Sequence, residues 1–204
     1  HVQPTENTTP TVEGAVKTGL SVSTKLSDST SATAEAAGAV KYDVTLAAVL
    51  VNDEGVIVDC VIDSIPATVN FDAKGQITSD LSMAVPTKNE LGAAYNMVAY
   101  GGAIAEWDAQ VAAVAKYAIG KTVEELKNGA VDETGYAPEG SDLASSATIY
   151  LGGYVSVIEA AVNNAKHLGA VDGDELKLVT LNSVGSSVSA TTEKAGTAQL
   201  DANI

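Results

Sequence analysis

Val49-Leu50-Val51-Asn52-Asp53-Glu54-Gly55-Val56-Ile57-Val58-Asp59-Cys60-Val61-Ile62 places two apolar, β-branched runs on either side of a polar turn that ends in glycine. This pattern predicts a β-hairpin, because glycine adopts the backbone conformation that a tight reversal demands. Outward from it, Tyr42 to Val51 is rich in Val, Leu and Ala, and Gly19 to Lys25 alternates through Leu-Ser-Val-Ser-Thr. Phe71-Asp72-Ala73-Lys74-Gly75-Gln76-Ile77 repeats the order of apolar residue, acidic turn and glycine. Ala15 to about Leu81 therefore predicts a meander of four strands.

The period then changes. Thr87-Lys88-Asn89-Glu90 has the form of a helix-capping box, and Ala103 to Ile119 sets Ile104, Trp107, Val111, Val114 and Ala118 at three- and four-residue steps. Thr122 and Glu125 form a second box ahead of a short helix, and 129–146 reads as a loop. A further stripe of Val157, Ile158, Ala161, Val162 and Ala165 predicts a helix from Tyr154 to Leu168, closed by Gly169. Val171 onward returns to β. The expected class is α+β, an antiparallel sheet or sheets with several helices packed on the sheet, forming one domain over 14–204. Residues 1–13 are rich in Thr and Pro without periodicity and read as an extended tether. A mature bacterial surface lipoprotein carries this kind of stalk after its lipidated cysteine, a residue this sequence does not contain. Within the tether, Asn7-Thr8-Thr9 matches a glycosylation sequon.

The chain echoes itself. Ser31 to Asp43 and Ser189 to Asp201 agree at seven of thirteen positions, and Gly19-Leu20-Ser21-Val22 loosely matches Thr180 to Val184. Residues 176–204 thus echo 17–45. Either they form a pseudo-symmetric strand pair that completes the sheet, or they open a second copy of a tandem domain and expose an edge through which chains self-associate.

Charge excludes whole classes of partner. Among 204 residues, eleven basic groups stand against twenty-six acidic ones for a net charge of −15, and all eleven are lysine. Such a surface repels nucleic acid and anionic headgroups. No apolar stretch reaches the roughly 18–20 residues that span a bilayer, so the chain is expected not to span a membrane. Cys60 alone can make no internal disulfide, and within Val56 to Ile62 it reads as a buried, inert thiol. His1 belongs to the tether, and His167 is expected in the last turn of a helix. No triad, histidine pair, dinucleotide fingerprint or phosphate loop is present. Asp172-Gly173-Asp174-Glu175 lacks the ligand spacing of a calcium loop, and the acidic turns at Asp53, Asp72, Asp132 and Asp172 read as solvated.

One stretch carries a chemical signal. Asp142-Leu143-Ala144-Ser145-Ser146-Ala147-Thr148 resembles the flavin-attachment signature of the FMN-binding domain family, and Gly153-Tyr154, Val157-Ile158 and Ala161-Val162 fall at the four-residue spacing of the helix that follows it there. The Val49 to Ile62 hairpin is also similar to that family's sheet. The resemblance implies FMN held covalently through its phosphate at Thr148, Asp142 helping a flavin transferase recognise the site, and ring contacts from Tyr150 or Tyr154. Small residues at Ser145, Ser146 and Ala147 would let phosphate and ribityl approach the backbone, with amides ahead of the helix stabilising the charge. The chain departs from the family where Ser146 replaces glycine and Tyr150-Leu151 replaces Thr-Ser. The same residues admit another reading, in which Ala147 to Leu151 is a buried strand with Thr148 in its ladder.

The expected function is therefore an extracellular or cell-surface flavin carrier in electron transfer, with a redox protein and a flavin transferase as partners. The alternative is a non-catalytic surface binding or structural module that retains the fold without flavin.

Overall fold

The structure is a computed structural model that describes residues 13–204. The expected tether, apart from Glu13, lies outside the described residues, and so do His1 and the Asn7 sequon. The class is α+β, with an antiparallel sheet and helices packed on it. Three long strands, β1 (Ala15–Lys25), β2 (Gly38–Val51) and β3 (Ile57–Phe71), form consecutive hairpins, with Leu20 opposite Ala48 and Ala47 opposite Ile62. Both turns next to β3 use one device. In the first, the Asn52 carboxamide accepts the amides of Glu54 and Val56, and in the second the Asp72 carboxylate accepts those of Lys74 and Gln76. The glycine that closes each turn, Gly55 or Gly75, has positive φ.

The meander has three strands rather than four. After Gly75 only an isolated bridge joins Phe71 to Ile77. Ser79 and Asp80 then spend their side chains on local bonds to Asn70 and Ser82, which competes with a ladder. The fourth strand comes from far along the chain. β4 (Lys166–Val171) pairs with β1, giving the order β3-β2-β1-β4.

Between β3 and β4 lie α1 (Lys88–Leu91), α2 (Met97–Gly101), α3 (Trp107–Ala118), α4 (Val123–Ala130) and α5 (Gly152–Asn163). Both expected capping boxes are formed, at Thr87 with Glu90 and at Thr122 with Glu125. α3 starts later than the periodicity predicts. Glu106 takes the extended position before it, its carboxylate accepts the amides of Met97 and Val98, and Ile104 is left exposed. α5 ends earlier than expected, at Asn163, where the Asn164 side chain bonds the Leu20 carbonyl and turns the chain onto the free edge of β1. His167 accordingly stands on β4, not in a helical turn. Its Nε2 lies 3.1 Å from Asp53, whose carboxyl is held below its ordinary value by Lys17 first and His167 second.

The helices cover one sheet face. Ala47, Val49, Val51, Ile57 and Ile62 meet Val111, Val114 and Ala118 of α3, Leu126 of α4 and Val155, Ile158 and Ala161 of α5. Cys60 joins this core, and burial, with the Asp59 charge, pushes its thiol up to about 12, so it stays protonated and inert. On the opposite face, Val44, Leu46 and Ile65 are covered by Leu178 and Leu200. From Val171 onward the expected β structure is sparse. β5 (Leu181–Ser183) and β6 (Asp201–Asn203) form a two-stranded sheet of their own instead of completing the main one.

Gly19 sets how closely α5 approaches β1, because a Cβ there would collide with the Ala161 carbonyl and press on the Ala165 backbone. Gly19→Ala should lower stability in urea unfolding by about 2–3 kcal/mol through overpacking. Gly153→Ala, at a helical position with open space around it, should gain about half a kcal/mol in the same measurement.

Candidate functional site

Ala147 and Leu151 are both buried, and between them Thr148-Ile149-Tyr150 forms a bend outside any helix or strand. The bend is fastened at both ends. A 3-10 turn (Leu143–Ser145) precedes it, with the amides of Ser146 and Ala147 on the Leu143 carbonyl, while the amides of Leu151 and Gly152 share the Gly135 carbonyl. A third clasp comes from the side, where the Thr148 amide donates to Gln110 Oε1 at 2.9 Å. Thr148 is exposed, and among the described residues its hydroxyl makes no hydrogen bond. The buried-strand reading of Ala147 to Leu151 does not hold, because three unlike anchors within five residues leave no run of backbone free to join a ladder.

Around this hydroxyl the signature residues separate by role. Asp142, Ser145 and Ser146 are exposed, and the Ser145 hydroxyl turns back to the Asp142 carbonyl at 2.7 Å. Ala147 faces the core, so its small size serves packing and not an approaching phosphate. Tyr150 is exposed and packs edge-on against Tyr136, with centroids 5.7 Å apart, its ring lying over Gly135 and Gly152, where any Cβ would strike it. The expectation that amides ahead of α5 await a phosphate is corrected for three of them. Those of Thr148, Leu151 and Gly152 are committed to Gln110 and Gly135.

Tyr154 points elsewhere. Its hydroxyl accepts the Trp107 indole N–H at 2.8 Å, and burial raises its pKa against the opposing effects of Trp107 and Lys88. Lys88 is the centre of this second group. Its ammonium sits 5.1 Å from the Trp107 ring centroid, 5.2 Å from that of Tyr95 and 3.3 Å from Asp43, which also accepts the Ser64 hydroxyl. Burial works against the charge on Lys88, but Asp43 together with Tyr95 and Tyr154 outweighs it and the pKa rises. α1 holds Lys88 in place because the Asp63 carboxylate receives the Asn89 amide and the Asn89 side chain bonds the Ile62 carbonyl.

Two helices thus join the site. α3 clasps the bend through Gln110, and one turn earlier on α3 Trp107 donates to Tyr154 of α5. Sequence reading missed both roles and that of Lys88. The available signals were a glutamine within the apolar stripe of a helix and the chain's only tryptophan at its start. A hollow of about 290 Å³ between β3 and α3, lined by Cys60, Ile62, Val111, Ala115 and Ile119 among others, includes no residue of the bend. No helix among the described residues is long and apolar enough to cross a membrane.

Gln110→Leu should strand the Thr148 amide and the Ala105 carbonyl together, costing about 2 kcal/mol in urea unfolding and speeding hydrogen exchange at the Thr148 amide. Asp63 offers a pH test. Burial is the main cause lifting its carboxyl above 3.8, with Thr87, Ser64 and Asn89 pulling the other way. As pH rises from that value the unfolded chain releases the proton first, so ionising Asp63 progressively lowers stability. Asp63→Asn is free of this loss, and its stability relative to the parent should improve between about pH 3 and pH 7 in matched urea titrations. Comparison with family models gives no match, and neither the curated proteins nor the solved structures return a similar one.

Proposed function

We propose that the chain is an extracytoplasmic flavin carrier of the FMN-binding-domain kind, with the cofactor esterified to Thr148. One observation carries the reading: the threonine that ends the signature is an exposed hydroxyl on an anchored, irregular bend, with no partner among the described residues. A modifying enzyme needs this presentation, because it must seat the acceptor oxygen in its own active site, and neither a ladder nor a helix would yield it.

The residues present fit such a group at the acceptor and less fully at the phosphate. Thr148 Oγ1 would form the new bond to phosphorus and lose its proton. With a flavin dinucleotide as donor, the bond that breaks is the one to the nucleoside monophosphate, which departs. Asp142 is exposed, as are Ser145 and Ser146, and a transferase would read its carboxylate there. Tyr150, braced by Tyr136, offers an aromatic edge that does not have to be ordered on binding. Bound flavin would supply reversible electron transfer to a partner redox protein. Tyr154, bonded to the Trp107 indole, ties α5 to α3.

Coexpression with a flavin transferase tests this directly. Intact mass should rise by one FMN residue per chain with in-gel flavin fluorescence, and Thr148→Ala should abolish both. Unchanged mass and colourless protein in the unsubstituted chain would overturn the reading and leave the flavin-free surface module.

A further inference from the structure

The sequence echo is also a structural one, and residue by residue. Adding 158 to the pairs Ser23 with Thr45, Thr24 with Val44 and Lys25 with Asp43 in β1 and β2 gives Leu181 with Asn203, Asn182 with Ala202 and Ser183 with Asp201, the whole of the β5–β6 ladder. The same offset carries the Thr30–Ala39 bridge onto Val188–Thr197. It carries the Ser29 hydroxyl, which bonds both the amide and the carbonyl of Lys41, onto Ser187, which does the same with Gln199. Two stretches far apart in the chain therefore build one hairpin twice.

Only one of the two hairpins is covered. In the second, Val184 is 5% exposed against Ala67, Val69 and Phe71. Its Ser189 hydroxyl accepts the Ile77 amide, the Ala190 carbonyl accepts the Gln76 side chain, and the Ala190 amide donates to the Gly75 carbonyl. Gly196 is needed there, since a Cβ would come within 2.9 Å of the Phe71 ring. The first hairpin has the same contact residues, Ser31, Ala32 and Gly38, at the matching positions, and an equally apolar Leu26 in place of Val184. Yet Leu26 is 47% exposed, and Ser31 and Ala32 are open to solvent, while Gly38 is buried beneath the Ser31–Ala32 backbone of its own hairpin. Tyr42 and its counterpart Leu200 pack on the same two clusters, as do Val40 and Ala198 on one of them. Equivalent positions gathered on one apolar cluster are what the neighbourhood of a two-fold axis contains.

We infer that Leu26, Ser31 and Ala32 form a docking surface for the Phe71–Ile77 corner of a second copy of this module, in a two-fold pair whose other half the β5–β6 hairpin already occupies. This inference stands apart from the flavin reading. Within one chain the tethered hairpin competes for the corner at a high effective concentration, so the unsubstituted protein stays monomeric at micromolar concentration. Displacing that hairpin frees the corner for the Leu26 surface of another molecule, and the resulting pair closes on itself.

Val184→Asp in the full chain, followed by sedimentation across a concentration series, should convert monomer to a dimer whose mass stops at two chains. Adding Leu26→Asp, a change at an exposed position, should weaken that dimer by at least about tenfold. Gly196→Ala, a milder change that strains the same contact, should dimerise in the same way, and it decides the outcome if Val184→Asp loses its helical circular dichroism. Folded variants that remain monomeric, growth beyond two chains, or dimers indifferent to Leu26→Asp would each overturn the inference.

Discussion

From Val44 to Val51, β2 is apolar on both faces: Ala47, Val49 and Val51 point one way, Leu46, Ala48 and Leu50 the other, and all are buried apart from Thr45. An antiparallel sheet commonly leaves one face to water, and its strands then alternate. This strand does not alternate, so neither side of the sheet can be left open at its centre. The helices α3, α4 and α5 satisfy one face, and the chain beyond β4 satisfies the other by returning Leu178 and Leu200 across Val44 and Leu46. The remaining architecture follows from this double demand.

On the helical face, α3 sits over β3 while α5 sits over β1 and β2, and Gly19 lets α5 settle against the strand itself. The chain between α4 and α5 must then cross the helical layer without regular structure and still satisfy its backbone. It does so with one acceptor of its own, the Gly135 carbonyl, and one from the helix it crosses, the Gln110 side chain. Gln110 is fully buried and spends both ends of its amide, one on Ala105 and one on Thr148. A polar group in that position is stable only when it is fully bonded, so the conformation of the bend and the packing of α3 depend on each other. An exposed hydroxyl held over a buried network is a consequence of that dependence.

Much of this was legible in the sequence because it is local. The hairpin about Asn52 to Gly55, the turn at Asp72 to Gly75 and both capping boxes depend on side chains reaching backbone a few residues away, and all of them form. Misreadings came where tertiary demand overruled local pattern. Lys166 to Leu168 stands at the end of the expected helix, but the open edge of β1 offers a ladder and takes it. Ile77 resembles the start of a strand, yet the corner it belongs to is occupied by Ser189 and Ala190 from the far end of the chain. Within the site, the small residues of the signature were legible as a group, whereas their division into exposed Ser145 and Ser146 and buried Ala147 was not. That division depends on where the core lies, and Gln110, thirty-eight residues upstream, helps to fix it.

Charge connects the composition with the bend. Noncovalent retention of a phosphate monoester requires cations or uncommitted amides, and this chain has no arginine and a net charge of −15. Lys88, its most buried cation, is already engaged by Asp43 and two aromatic rings. The amides of Thr148, Leu151 and Gly152 are likewise spent. A covalent phosphoester needs none of these groups once formed, because its persistence is set by a bond and not by a binding equilibrium that the surrounding carboxylates would oppose. On the proposed reading, the features that make this surface a poor receptor for free flavin are compatible with a tethered one. What the bend must then supply is access to a single oxygen, and its fastening at Leu143, Gln110 and Gly135 keeps that oxygen outside the core.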